Sequence, residues 1–229
     1  MIENKTKLLK GKFKTQRAKA LKIIQAGLES VRVEKAIKKA KLPNLKEFDK
    51  IYVIGFGKAS ALMAETLEKR LGNRIEDGAV VSVRKAKTKR IQGFKGTHPL
   101  PSNENVKATE KIIEIIEKAR RNDLVIALIS GGGSALLTLP AKGITLTELR
   151  EVNSLLIHSD VEIRELNTVR KHLSGVKGGL LIKKASPARL HAFIVSDVIG
   201  NDLSVIASGA TVRDESTLRQ AKNVLRKHG

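Results

Sequence analysis

The chain repeats one kind of junction: a short apolar run, a turn of glycines or small polar residues, then a segment with helical spacing. Ile51–Ile54 runs into Gly55-Phe56-Gly57 and on into Lys58–Arg70, where Leu62, Met63 and Leu67 share a side. Leu124–Ile129 runs into Ser130-Gly131-Gly132-Gly133-Ser134, and Ala192–Val195 ends at Ser196-Asp197. Runs that are apolar at every position are strands buried on both faces, as in parallel sheets with helical crossovers. A strand that turns and returns through a helix is a βαβ unit. The recurrence therefore predicts an α/β fold with helices on both faces of the sheet.

The remaining segments fit that scheme. Gly78–Val83 and Arg90–Phe94 read as further strands. Residues 16–29 and Val33–Lys41 read as basic helices, the second ended by Pro43 and Asn44. The best helical pattern is Ser102–Ala119, with a candidate cap at Ser102 and an apolar stripe of Val106, Ile112, Ile113 and Ile116. Thr145–His158 is predicted helical, as is Asn167–Lys184 with interruptions at Gly175, Gly178 and Gly179; Ser216–Lys227 is the last helix. There is no internal repeat. A single domain over 1–229, fronted by a basic helical segment over 1–45, is the expected organisation.

Composition narrows the function. At 229 residues and 41% hydrophobic, the chain can bury a sizeable core. It has no Cys, which excludes disulfides and thiolate chemistry, and its five His are scattered, which argues against zinc. Met1–Gly11 is charged and lacks an apolar stretch, and no run approaches the ~18 apolar residues of a membrane span, so a cytoplasmic location is expected. The formal net charge is +21. Residues 1–50 carry 15 Lys+Arg against 5 acids, and Arg84, Lys85, Lys87, Lys89, Arg90 and Lys95 follow with no acid between them. Aromatic residues are only 3% of the chain, so the stacking partners of nucleic-acid recognition are scarce. A solvated lysine-rich surface with non-specific polyanion binding is the plainer reading.

In a parallel sheet, ligands bind beyond the carboxyl ends of the strands, where all three junctions lie. The first offers Gly55, Gly57, Lys58 and Ser60. It is neither a full G-x-G-x-x-G nor a Walker A loop. A lysine at a helix start opposes the helix dipole, which suits an anion held by free backbone amides; the alternative is a tight turn with a surface lysine. At the second, Ser130, Gly131, Gly132, Gly133 and Ser134 let amides curl around an oxygen-rich ligand, or permit a close backbone crossing. At the third, Asp197 is placed to hold Mg²⁺ with phosphates or to accept a hydroxyl proton, with Asp202 as a second metal candidate; turn capping is the alternative. Ser208, Gly209 and Thr211 make another turn suited to anions. His98 sits in a rigid loop, Gly96–Ser102. Asn167, Arg170 or Lys171, and Ser174 are three or four apart and so share a helical face, where Arg170 can grip a carboxylate.

Five segments, in order, carry a family resemblance: V-I-G-F-G-K-A-S, G-T-H-P-L-P-S, I-S-G-G-G-S-A-L-L, E-L-N-T-V-R-K-H-L-S-G-V-K-G-G and S-D-V-I-G-N-D-L-S-V-I-A-S-G-A-T. They resemble the amino-terminal domain of the glycerate 2-kinases, a family some of whose members are labelled hydroxypyruvate reductases. The similarity is collinear from about Ala18 onward. It implies a Rossmann-like three-layer sandwich with a mostly parallel sheet. It also implies Mg²⁺-dependent transfer of a phosphoryl group from ATP to the 2-hydroxyl of D-glycerate. By that resemblance Lys58 lies near the transferred phosphate, Ser130–Ser134 lie against substrate or phosphate, and Asn167, Arg170 and Lys171 line the cleft. Asp197 assists Mg²⁺ or the hydroxyl. Two departures stand out. Ala210 occupies a position where the family usually has Pro, and the resemblance covers only the first of the family's two domains. A very weak or inactive kinase is therefore expected. The alternative is a non-catalytic domain binding phosphate, nucleotide or polyanion, and an uncovered cleft face would favour self-association.

Overall fold

The computed structural model describes residues 2–228. Three helices, α1 (Lys5–Leu8), α2 (Lys14–Ser30) and α3 (Val33–Lys39), precede the sheet. Then come β1 (Ile51–Phe56), α4 (Ser60–Leu71), β2 (Ile75–Ser82), β3 (Ile91–Lys95), α5 (Asn103–Glu117), β4 (Leu124–Ser130) and the short α6 (Gly133–Leu136). The chain continues through α7 (Leu146–His158), α8 (Ile163–His172), α9 (Leu180–Ala185), β5 (Arg189–Val195) and α10 (Leu218–Lys227). The five strands lie in the order β3-β2-β1-β4-β5, and every pairing is parallel. The α/β, Rossmann-like sandwich is thus the observed fold.

The uninterrupted apolar runs have a direct explanation. Along β1 and β4, Tyr52, Ile54, Phe56, Val125, Ala127 and Ile129 enter the core shared with α5 and α9. Ile51, Val53, Leu124, Ile126 and Leu128 enter the opposite core, with α3 and α4. Each side chain of this kind stabilises the fold by about 1.5–3 kcal/mol on burial. At the edge, β5 has no fully buried residue.

Strand order reverses between β1 and β4, so the carboxyl ends of these two strands open the crevice where such sheets take ligands. Register places them level, with Phe56 opposite Ile129. This brings Gly57 and Ser130, the residues just beyond that pair, into contact.

Some boundaries differ from the sequence reading. β2 starts at Ile75 and β5 at Arg189, each three residues earlier than predicted. Their first residues include Asp77, Arg189 and His191, which join the ladder without a hydropathy signal, and Glu76, which the register skips. The helix predicted over Asn167–Lys184 divides into α8 and α9. Gly178 (φ 57°) and Gly179 (φ 81°) take left-handed conformations between them. No helix among the described residues is long and apolar enough to cross a membrane.

Candidate active site

The first turn and the glycine loop are tied to each other. Gly57 (φ 121°) passes so close to Ser130 that a Cβ would sit 2.8 Å from the Ser130 carbonyl carbon. The amide of Lys58 donates to Gly131 O at 2.9 Å, and that of Ala59 to Ser130 Oγ at 3.0 Å. The amides of Gly57 and Ser60 donate to Val81 O and Gly57 O. All four amides of this turn are therefore engaged within the protein. The expectation that they hold an anion is corrected: this turn offers the side chain of Lys58 and not its backbone. Ser60 is fully buried, its one hydroxyl hydrogen shared between Gly57 O and Val81 O at 2.9 and 2.8 Å. Gly55 lies inside β1, against Val80 and Leu128.

The glycine loop is the complement. Among the described residues, none of the amides from Gly131 to Ser134 donates to a protein acceptor. Gly132 is left-handed (φ 80°), which turns the loop back on itself. A Cβ on Gly131 would collide with the Asp197 carboxylate, coming within 2.8 Å of its Cγ. One on Gly132 would meet His98 Cδ2 at 2.9 Å and Lys58 Cε at 3.1 Å. Lys58, His98 and Asp197, far apart in sequence, thus converge on a loop of unengaged amides. His98 is delivered by Asn105, whose Oδ1 accepts from Thr97 N at 2.9 Å and whose Nδ2 donates to Ala135 O at 2.9 Å. Partial burial, then the charge of Lys58, hold the His98 imidazole below its usual pKa.

Beside the loop is a cavity of about 210 Å³, lined by His98, Ser134, Asn153, Arg170, Ser174 and Lys177 among others. Arg170 Nε donates to Asn153 Oδ1 at 2.7 Å. Lys177 is 6% exposed and donates to Leu137 O at 2.6 Å. Burial, then the charge of Arg170, bring the Lys177 ammonium down to about 7. Asn153 carried no signal in the sequence, and Lys177 stood only as one more basic residue before a glycine pair.

The shared face predicted for Asn167, Arg170, Lys171 and Ser174 divides in two. Arg170 and Ser174 face this cavity, whereas Asn167 and Lys171 line a second, more open depression with Asp202 and Asp214. There Lys171 Nζ pairs with Asp214 Oδ1 at 3.1 Å. Asn167 is joined to the glycine loop by a buried relay: Ser208 Oγ donates to Asn167 Oδ1 at 2.9 Å and lies 2.8 Å from Ser134 Oγ. Ala207, Ser208 and Gly209 are all left-handed, with φ of 50°, 56° and 64°. That strain, about 1–3 kcal/mol per non-glycine residue, is spent on aiming Ser208.

Asp197 and Asp202 are separately employed. Asp202 accepts from the amide and hydroxyl of Ser204 at 2.9 and 2.7 Å and pairs with Arg164 at 3.4 Å. The Ser204 hydroxyl and amide keep its carboxyl below the usual range. Among the described residues no cluster of three or more His, Cys, Asp or Glu could hold a metal. The exposed Asp197 carboxylate at the glycine loop fits a Mg²⁺ that keeps waters and arrives with phosphates, the usual mode for this cation.

Comparison with known proteins identifies the family to which this fold belongs. The family model described as Domain of unknown function (DUF4147) matches residues 19–229. The D-glycerate 2-kinase of Thermotoga maritima is 38% identical over 213 residues, covering 92% of this chain and 51% of the relative. The glycerate 2-kinase of Pyrococcus horikoshii is 43% identical over 185 residues, covering 79% of this chain and 41% of the relative. The crystal structure of the Thermotoga maritima glycerate kinase superposes with a TM-score of 0.84 at 36% identity, over 92% of this chain and 51% of that one. The chain spans about half the length of the curated relatives it matches. It belongs to the DUF4147 family, the part of the glycerate 2-kinases that the sequence motifs resemble.

Proposed function

We propose that this chain forms the phosphate- and glycerate-binding side of a glycerate 2-kinase, transferring the γ-phosphoryl group of ATP to the 2-hydroxyl of D-glycerate. The observation that carries this reading is the loop Gly131–Ser134, whose four amides lack protein acceptors, set between the Lys58 side chain and the Asp197 carboxylate. Such a nest, flanked by one cation and one carboxylate, suits phosphoryl transfer, where catalysis is mostly positioning and charge stabilisation.

In this reading the loop amides hold phosphate oxygens and Lys58 neutralises the charge that builds on the transferred group. A Mg²⁺ bound by Asp197 and the phosphates would supply further neutralisation. Asp197 either holds that ion or orients the 2-hydroxyl and accepts its proton, as the new O–P bond forms and the bond to the β-phosphate oxygen breaks, releasing ADP. Arg170 borders the acid's path, while Asn167 and Lys171 line the neighbouring depression.

A coupled ADP-release assay with ATP, Mg²⁺ and D-glycerate tests the reading. Glycerate-dependent ADP release should fall at least about 100-fold in Lys58→Ala, with the melting temperature unchanged, since Lys58 is exposed. Equal rates in wild type and K58A would remove Lys58 from this role.

A further inference from the structure

Among the described residues, two cations beside the glycine loop lack a counter-charge. The cavity of about 210 Å³ has three titratable groups in its lining, His98, Arg170 and Lys177, and no carboxylate. Lys177 is buried with a single carbonyl partner, and Arg170 has only the Asn153 amide oxygen on its Nε. Nearby cations are treated differently: Lys171 is paired with Asp214 and Arg164 with Asp202. Burying charge without a partner is expensive, so an acid-free cavity that holds the buried Lys177 beside a half-buried Arg170 is a place kept for an anion.

We infer that Arg170 and Lys177 form the subsite for the carboxylate of a small hydroxy acid, with its hydroxyl end turned toward Ser134 and the glycine loop. That the acid is glycerate rests on the kinase reading. The cavity is smaller than the roughly 300–1,000 Å³ of pockets for drug-sized ligands, so it suits a three-carbon acid better than a nucleotide. The planar guanidinium of Arg170, fixed by Asn153, can meet both carboxylate oxygens. Lys171, already paired, is left out of this role.

Proton uptake follows. The charged or titratable groups facing Lys177 are Arg170 from α8 and His98 from the loop before α5; α6 and α7 bring only neutral side chains such as Ser134, Leu149 and Asn153. With its ammonium brought down to about 7, Lys177 is mostly neutral at pH 8. An entering carboxylate favours the charged form, so binding draws in a proton, and affinity declines as pH rises above about 7.

Isothermal titration of D-glycerate into the full chain at pH 8, without nucleotide, in two buffers of different protonation enthalpy, measures this directly. Wild type should take up close to one proton. Lys177→Arg should keep binding but lose the uptake, and Lys177→Met should bind about tenfold or more weakly. Wild-type binding without proton uptake, unchanged affinity in K177M, or no glycerate binding at millimolar concentration would each overturn the subsite. The wild-type pH profile and K177R carry the test should K177M fail to fold. Carboxylate binding with proton uptake but no ADP release would uphold the subsite and remove the kinase reading. ADP release with an unchanged glycerate KM in K177M would do the reverse.

Discussion

Two glycines at the site answer differently to one added methyl group. Gly131 has an ordinary backbone, and the atoms nearest its Cβ would be those of the exposed Asp197 carboxylate, which can swing aside. Gly131→Ala should change stability by less than about 1 kcal/mol yet abolish most ADP release, because Asp197 is displaced. Gly57 has φ 121° and faces the backbone of Ser130. Gly57→Ala should cost about 2 kcal/mol or more in urea unfolding, since strain and a backbone clash add. A loss near zero would show that the two turns are not locked together. The glycine triplet was legible in the sequence, because three glycines after a buried strand have little use except in a turn that must approach something closely. Lys177 was not. Its meaning depends on burial against Leu137, 40 residues away, and on an arginine held by Asn153, 17 residues from it.

At the scale of elements, α4 does more than cover the sheet. Glu68 accepts from the amides of Lys89, Arg90 and Ile91 at 2.7, 2.9 and 3.2 Å, and Glu65 takes the Arg84 guanidinium and the Lys87 amide. The basic stretch at residues 84–95 is thus partly a loop pinned by two helix carboxylates, with its amides as important as its side-chain charges. Glu68→Ala should destabilise by about 2 kcal/mol and speed amide exchange at Lys89–Ile91 far more than along β4. Uniform protection across β3 and β4 in that variant would contradict the pinning. The strands and their direction were legible because β1 and β4 alternate between two apolar cores. The amino ends of β2 and β5 were not, because Asp77 and His191 owe their strand conformation to ladder partners Tyr52 in β1 and Ile126 in β4. The division of α8 from α9 was half legible: the glycines marked the break, but Ile163 as the true start of α8 had no apolar run to announce it.

Across the whole molecule, charge has two separable consequences. The Lys177 ammonium is held near 7 in the folded protein and returns to the ordinary lysine value on unfolding, so between those values the unfolded chain binds more protons. Stability should therefore rise with pH from about 7 toward 10, by at most about 1.4 kcal/mol per unit, relative to K177M. Parallel stability profiles for the two proteins would show that burial does not depress the lysine. The net charge of +21 acts differently: nucleic acid should bind at low salt and dissociate by roughly 0.2 M, without sequence preference. The most direct test is a crystal structure with Mg²⁺, a non-hydrolysable ATP analogue and D-glycerate. The terminal phosphate should lie within hydrogen-bond distance of the amides of Gly131–Ser134, with Lys58 Nζ against it and the Asp197 carboxylate beside the metal. A phosphate bound elsewhere, with the glycine loop empty, would contradict the assignment.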